Sequence, residues 1–145
     1  MTRALTKDQI RKLYETVAQL KAAHVVAARR SSAAFTSYAM RDEAGQPLKL
    51  ADFHHEWHKL LALHDQLIIW GSAEIGKTIQ LISYVAWKIG MDPSIRVVIA
   101  SKTKVKAAQI LGAIVNVMSS AAYREVFPHV VIIGSNAHTL RVLGY

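Results

Sequence analysis

The sequence contains no cysteine, which excludes disulfides and thiolate metal sites and gives no sign of an oxidising compartment. It also lacks an unbroken apolar run near the roughly 18 residues that a membrane span needs. The longest candidate, 110–118, is short and interrupted by Asn116. The opening MTRALTKDQIRKLYE is charged throughout and has no apolar centre of a secretory signal, so a cytosolic setting is expected. Acidic residues are scarce. Ten Asp and Glu face eighteen Lys and Arg, for a net charge of +8 and a pI near 9.9. That balance favours an anionic partner such as nucleic acid, nucleotide or an acidic membrane; the alternative is a soluble protein that is merely basic. The shortage is sharpest late in the chain, where only Asp92 and Glu125 follow Thr78. No internal repeat and no low-complexity tract is present.

What is there suits one ordinary domain. Residues 6–30 read as an amphipathic helix, with Thr6 and Gln9 at capping-box spacing. Ile10, Leu13, Tyr14, Val17 and Leu20 share one face, and Lys7, Arg11, Lys12 and Lys21 the other. A mixed connector spans 31–47, and its polar part, 41–47, ends in turn residues. A boundary there divides an N-terminal helical appendage, 1–45, from a core over 46–145. A second helix is expected over 51–64, then a strand over 66–70. A helix over 78–89 stops at Gly90, and "IRVVIA", 95–100, reads as a strand buried on both faces of a parallel sheet. Residues 101–119 read as a helix capped by Ser101 or Thr103, with Val105, Ala108, Leu111, Val115 and Met118 along one face. Short strands are expected over 130–133 and 140–143, around "GSNAH". The alternation predicts an α/β fold: a P-loop NTPase of RecA/helicase-like type, with a partial parallel sheet and flanking helices behind the helical segment.

The most legible motif is "GSAEIGKT". Gly71, Ser72, Ala73, Glu74, Ile75, Gly76, Lys77 and Thr78 match G-x-x-x-x-G-K-[ST] without a mismatch. The glycines allow the main chain to approach phosphate closely. The loop amides and the N-terminus of the next helix supply donors and positive charge. Lys77 reaches β- and γ-phosphates, and Thr78 places its hydroxyl on Mg²⁺. ATP and Mg²⁺ are therefore the expected ligands. The alternative is a strand-to-helix turn with an exposed lysine. Glu74 is discordant in such a loop and is expected to point outward.

Upstream lies the histidine-rich "FHHEWHKLLALH". His54 and His58 share a helix face at i, i+4, a metal-ligand spacing, but no third ligand is fixed, and His55 does not supply one. Phe53, His54 and Trp57 are better placed against an adenine base. The competing reading is that Phe53 and Trp57 anchor the helix in the core.

Residues 45–128 resemble the ATPase domain of a bacteriophage terminase large subunit. The similarity rests on F-H-x-x-W before the first expected strand, the GKT loop, the G-x-D-P ending of the next helix, R-x-x-I-x-S over 96–101, and Y-x-E-V-F-P over 123–128. The resemblance implies a DNA-packaging motor that acts on duplex DNA, with a portal, a procapsid and a small terminase subunit as partners. It implies a nuclease domain not found in these residues. It also places Lys102, Lys104 and Lys106 where related ATPases touch nucleic acid; the alternative is an ordinary capped helix start with solvated lysines.

Hydrolysis needs a carboxylate at the end of an apolar strand, and neither Asp92 nor Glu125 follows one. No arginine finger is assignable; Arg124 and Arg141 are the late candidates. The expectation is an ATP-binding but catalytically incomplete piece of a packaging ATPase, with no catalytic residue and no membrane role, that assembles only as part of the complete protein. Two alternatives stand beside it: a piece of another helicase-like ATPase, or a basic DNA- or protein-interaction module with a vestigial loop.

Overall fold

Helix α1, Lys7–Arg30, begins where the capping-box spacing puts it. The Gln9 amide donates to Thr6 Oγ1 at 3.3 Å, and the Thr6 amide donates back to Gln9 Oε1 at 2.9 Å. The structure is a computed structural model and describes residues 6–145. Only the last third of α1 is packed. Trp87 Nε1 donates to the Ala28 carbonyl at 3.0 Å, and Arg29 Nε donates to the Val126 carbonyl at 2.5 Å. Further out, Ile10, Leu13, Tyr14, Val17 and Leu20 are 39–73% exposed, so the apolar face of the first turns has no partner among the described residues.

The connector hides a helix. α2, Ser32–Ala39, is capped by Ser31, whose Oγ accepts from the Ala34 amide, and it carries Phe35 into the centre. α3 is Asp52–Leu63 and α4 is Lys77–Met91. α5, Lys104–Ser119, is capped by Thr103, whose Oγ1 accepts from the Lys106 amide at 3.2 Å. Its buried residues are Ile114 and Met118; Val105, on the expected inner face, is exposed. A short α6, Ala121–Val126, follows. One core gathers Ala28, Phe35, Ile82, Ile89, Ile114 and Val126 from five helices, with Phe127 and Val130 beyond them. Phe35 meets Tyr123 edge-on at 5.9 Å and lies 5.8 Å from Phe127.

Gly90 does not end α4. It lies inside the helix, and the Phe127 ring packs where its Cβ would be. The signal read as a stop is a packing notch.

The expected parallel sheet is absent among the described residues, and this overturns the P-loop NTPase fold. The described residues are 58% helical, with a single two-stranded antiparallel sheet among them. β1, Val130–Ser135, and β2, Leu140–Gly144, form a hairpin with an irregularity between Ile132 and Gly134. Asn136 closes it: its Oδ1 accepts from the amides of His138 and Thr139, both at 2.8 Å. Segments 66–70 and 95–100 form no strand and have no ladder partner. Their composition signals burial, which Ile95 and Ile99 achieve by packing on the core. Ile68, Trp70 and Val98, however, are 88%, 94% and 91% exposed. A parallel sheet needs ladder neighbours for its strands and helices over both faces, and these runs have no ladder neighbour.

Candidate functional site

The loop over 71–78 runs from exposed Trp70 into α4, without the strand expected before it. Its turn is made by two left-handed residues, Glu74 at φ 64° and Gly76 at φ 82°. Glu74 is the one non-glycine residue with positive φ among the described residues, a conformation that costs roughly 1–2 kcal/mol. Its side chain is exposed, as expected. Of the two glycines only Gly76 has a positive φ, and space is close at both. A Cβ on Gly71 would stand 2.5 Å from Ile75 Cδ1, and one on Gly76 would stand 3.3 Å from His54 Nε2.

Gly76 is the N-cap of the 15-residue α4 and offers no side-chain cap. The first-turn amides therefore lack the acceptor that Thr6, Ser31 and Thr103 give to their helices. Open donors and the positive end of the helix dipole face the loop together, the arrangement that binds anions. Lys77 folds back over it. Its Nζ donates to the Gly71 carbonyl at 2.9 Å and to the Ser72 carbonyl. The ammonium thus sits on the loop backbone, where phosphate oxygens can replace those carbonyls. Thr78 is exposed, and its hydroxyl makes no hydrogen bond among the described residues. Loop, helix end, Lys77 and Thr78 fit a phosphate chain. The Mg²⁺ of a nucleotide would find Thr78 as its protein contact, with no carboxylate supplied by the loop other than the outward Glu74.

The upstream helix reaches the loop through His54. His54 Nδ1 accepts from the Ala51 amide at 3.1 Å. The proton therefore lies on Nε2, which donates to the Ile75 carbonyl at 2.8 Å. Phe53 and Trp57 cluster with His54, with ring centroids 4.2 and 5.3 Å from it, and Phe53 is nearly half exposed. The segment expected to face adenine thus abuts the loop itself.

Sequence reading missed a buried polar seam. Ser32 and Thr36 of α2, His58 of α3, and Gln80 and Ser83 of α4 are all buried. His58 Nε2 donates to Gln80 Oε1 at 2.9 Å, and its Nδ1 accepts from Ser32 Oγ at 2.8 Å. Thr36 and Ser83 hydroxyls are 2.6 Å apart. Burial holds the His58 pKa below its ordinary value, against the opposing pull of the Gln80 bond. The signal was Ser32 and Thr36 at i, i+4, unusual on a helix face that is otherwise apolar. His58 is therefore a satisfied core histidine. Among the described residues no group of three or more His, Cys, Asp or Glu is placed to hold a metal ion.

The two late carboxylates are engaged elsewhere. Asp92 follows the far end of α4, about 22 Å of helix from Lys77. It accepts from the Ser94 hydroxyl at 2.6 Å and from the Ser94 amide at 3.0 Å, which lowers its pKa. Glu125 pairs with Lys21 at 2.6 Å and accepts from the Tyr38 hydroxyl; these bonds, that to Lys21 foremost, lower its pKa. Tyr38 is pushed up to about 12 by burial and by that acceptor. Lys102, Lys104 and Lys106 are exposed around the start of α5. A cleft of about 380 Å³ opens beside them, lined by Val97, Ile99, Lys104, Leu111, His138 and Leu140 among others, and no residue of 71–78 lines it. No helix among the described residues is long and apolar enough to cross a membrane. No protein-family model, curated protein or solved structure matches the chain.

Proposed function

We propose that the chain grips the phosphates of ATP, with Mg²⁺, at residues 71–78, and is the nucleotide-binding part of a terminase-like DNA-packaging ATPase that does not hydrolyse ATP by itself. One observation carries the reading: Lys77 lies over a glycine-bounded turn that leads into an uncapped helix start. Phosphate binding needs that local geometry and does not need the parallel sheet. The DNA-packaging context rests on the ordered motifs over 45–128, and duplex DNA, the portal and procapsid, and the small terminase subunit enter as partners on the same basis. Exposed Lys102, Lys104 and Lys106 suit contact with duplex phosphates.

The test is a titration of the protein with a fluorescent ATP analogue and Mg²⁺. Saturable binding that Lys77→Ala abolishes, with unchanged circular dichroism, supports the reading. Absence of binding, or binding indifferent to Lys77→Ala, overturns it. The missing sheet favours a second reading, a basic module with a vestigial loop. It requires DNA binding that persists when nucleotide binding is absent.

A further inference from the structure

We propose that His54 is a positioning residue of the phosphate loop, acting through the Ile75 carbonyl; the inference rests on the phosphate-loop reading above. Both ring nitrogens are committed. Nδ1 takes the Ala51 amide at the start of α3, and Nε2–H holds the Ile75 carbonyl between the two left-handed residues Glu74 and Gly76. A carbonyl pinned in this way fixes the Ile75–Gly76 peptide plane, because that plane is rigid. The same plane carries the Gly76 amide at the mouth of α4. Releasing the carbonyl frees the plane to rotate, and a left-handed Glu74 gives the turn a reason to relax. Phe53 and Trp57 pack against the imidazole and against each other, which limits its rotation. His54 thereby selects the amide arrangement that an anion meets, without touching the anion.

Three substitutions separate this role from a merely structural one. In His54→Gln the terminal amide nitrogen stands at the reach of Nε2 and keeps a donor for Ile75. In His54→Asn the shorter side chain keeps an acceptor for the Ala51 amide and loses the reach to Ile75. His54→Phe keeps the ring and loses both bonds. If His54 serves only as the cap of α3, Asn rescues function as well as Gln does, since a Gln at the same position of α1 takes its cap amide.

The experiment pairs binding of the fluorescent ATP analogue with hydrogen–deuterium exchange over 73–78, on the full chain. The expected result is binding by His54→Gln near wild type and binding by Asn and Phe weakened roughly tenfold, a fold-change set by the loss of one oriented hydrogen bond. Exchange over 73–78 without ligand accelerates in Asn and Phe and stays near wild type in Gln. Unchanged exchange in Asn and Phe overturns the proposal, as does Gln behaving like Phe. If wild type binds no nucleotide, the phosphate-loop reading fails and positioning for an anion fails with it. If wild type binds and the exchange pattern is flat, only the inference fails.

Discussion

His58 Nε2 stands 2.9 Å from Gln80 Oε1, across the seam between α3 and the first turn of α4. This bond joins the helix before the loop to the helix after it, one turn deeper than the His54 contact. The Gln80 amide nitrogen is buried with no partner among the described residues, so Gln80 joins the seam through its carbonyl oxygen alone. His58 accepts from Ser32 Oγ at Nδ1, which requires the neutral ring, and burial lowers its pKa in the folded chain.

Stability is expected to fall with acid in a defined window. The unfolded chain takes up a proton near the ordinary histidine value of about 6.5, before the folded chain does. Below that pH the unfolded state binds more protons, and stability drops until the lower folded-state pKa is passed, by at most about 1.4 kcal/mol per pH unit. Thermal melts from pH 7.5 to 5 measure it. In His58→Asn the protein is less stable throughout, and the histidine-dependent part of the slope between pH 6.5 and the lowered folded-state value disappears. A slope unchanged by the substitution would sink this assignment.

Two helical glycines are expected to respond in opposite directions to alanine. At Gly112 of α5 an added Cβ meets nothing within 4 Å, so Gly112→Ala gains about 1 kcal/mol of helix propensity. Gly90 would gain the same, but its Cβ collides with the Phe127 ring, and overpacking costs about 1–3 kcal/mol. Gly90→Ala therefore lowers the melting temperature while Gly112→Ala raises it, each by a few degrees. A smaller side chain at 127 relieves the collision, so Gly90→Ala combined with Phe127→Leu loses less than the two single losses together. Losses that simply add in the double variant reject the packing notch.

The carboxylate placement predicts no meaningful ATP turnover by these 145 residues. A hydrolytic site needs a carboxylate near Mg²⁺ and the attacking water. Asp92 closes a turn with Ser94, and Glu125 is held by Lys21 and Tyr38 on another part of the surface. Phosphate release is expected at the level of ATP and Mg²⁺ in buffer. Asp92→Asn and Glu125→Gln leave that level where it is. Turnover at many cycles per second, abolished by either substitution, contradicts the structure's placement of both groups.

Local rules were legible in the chain because they are satisfied locally. Thr6 and Gln9 announced a capping box and made one; Thr103 capped α5; "GSNAH" turned a hairpin. The loop motif likewise specified a turn that passes through left-handed Gly76. What failed was strand pairing. "IRVVIA" states that Ile95 and Ile99 want burial, but the identity of a ladder neighbour lies elsewhere in the chain, and none is provided. α2 was hidden because Ser32, Thr36 and Ser31 read as loop residues, whereas two of them are consumed in a buried polar seam and the third caps the helix. The His54 bond to the Ile75 carbonyl was not legible, since sequence gives proximity to the loop and not the direction of Nε2.

The basic start of α5 gives the last prediction. Lys102, Lys104 and Lys106 are exposed, and none forms an ion pair among the described residues. Phosphate contacts made by such lysines release counterions, at about 0.9 in the slope of log K against log salt per contact on duplex DNA. Replacing all three by alanine is expected to flatten that slope by up to about 2.7. The weakening is uniform across duplex sequences, since phosphate contacts carry no base information. Substituting Lys7, Arg11 and Lys12 on the projecting turns of α1 removes the same charge at a different place and serves as the control. If both triple variants flatten the slope equally, the basic character acts as a diffuse field, and residues 102–106 are an ordinary solvated helix start.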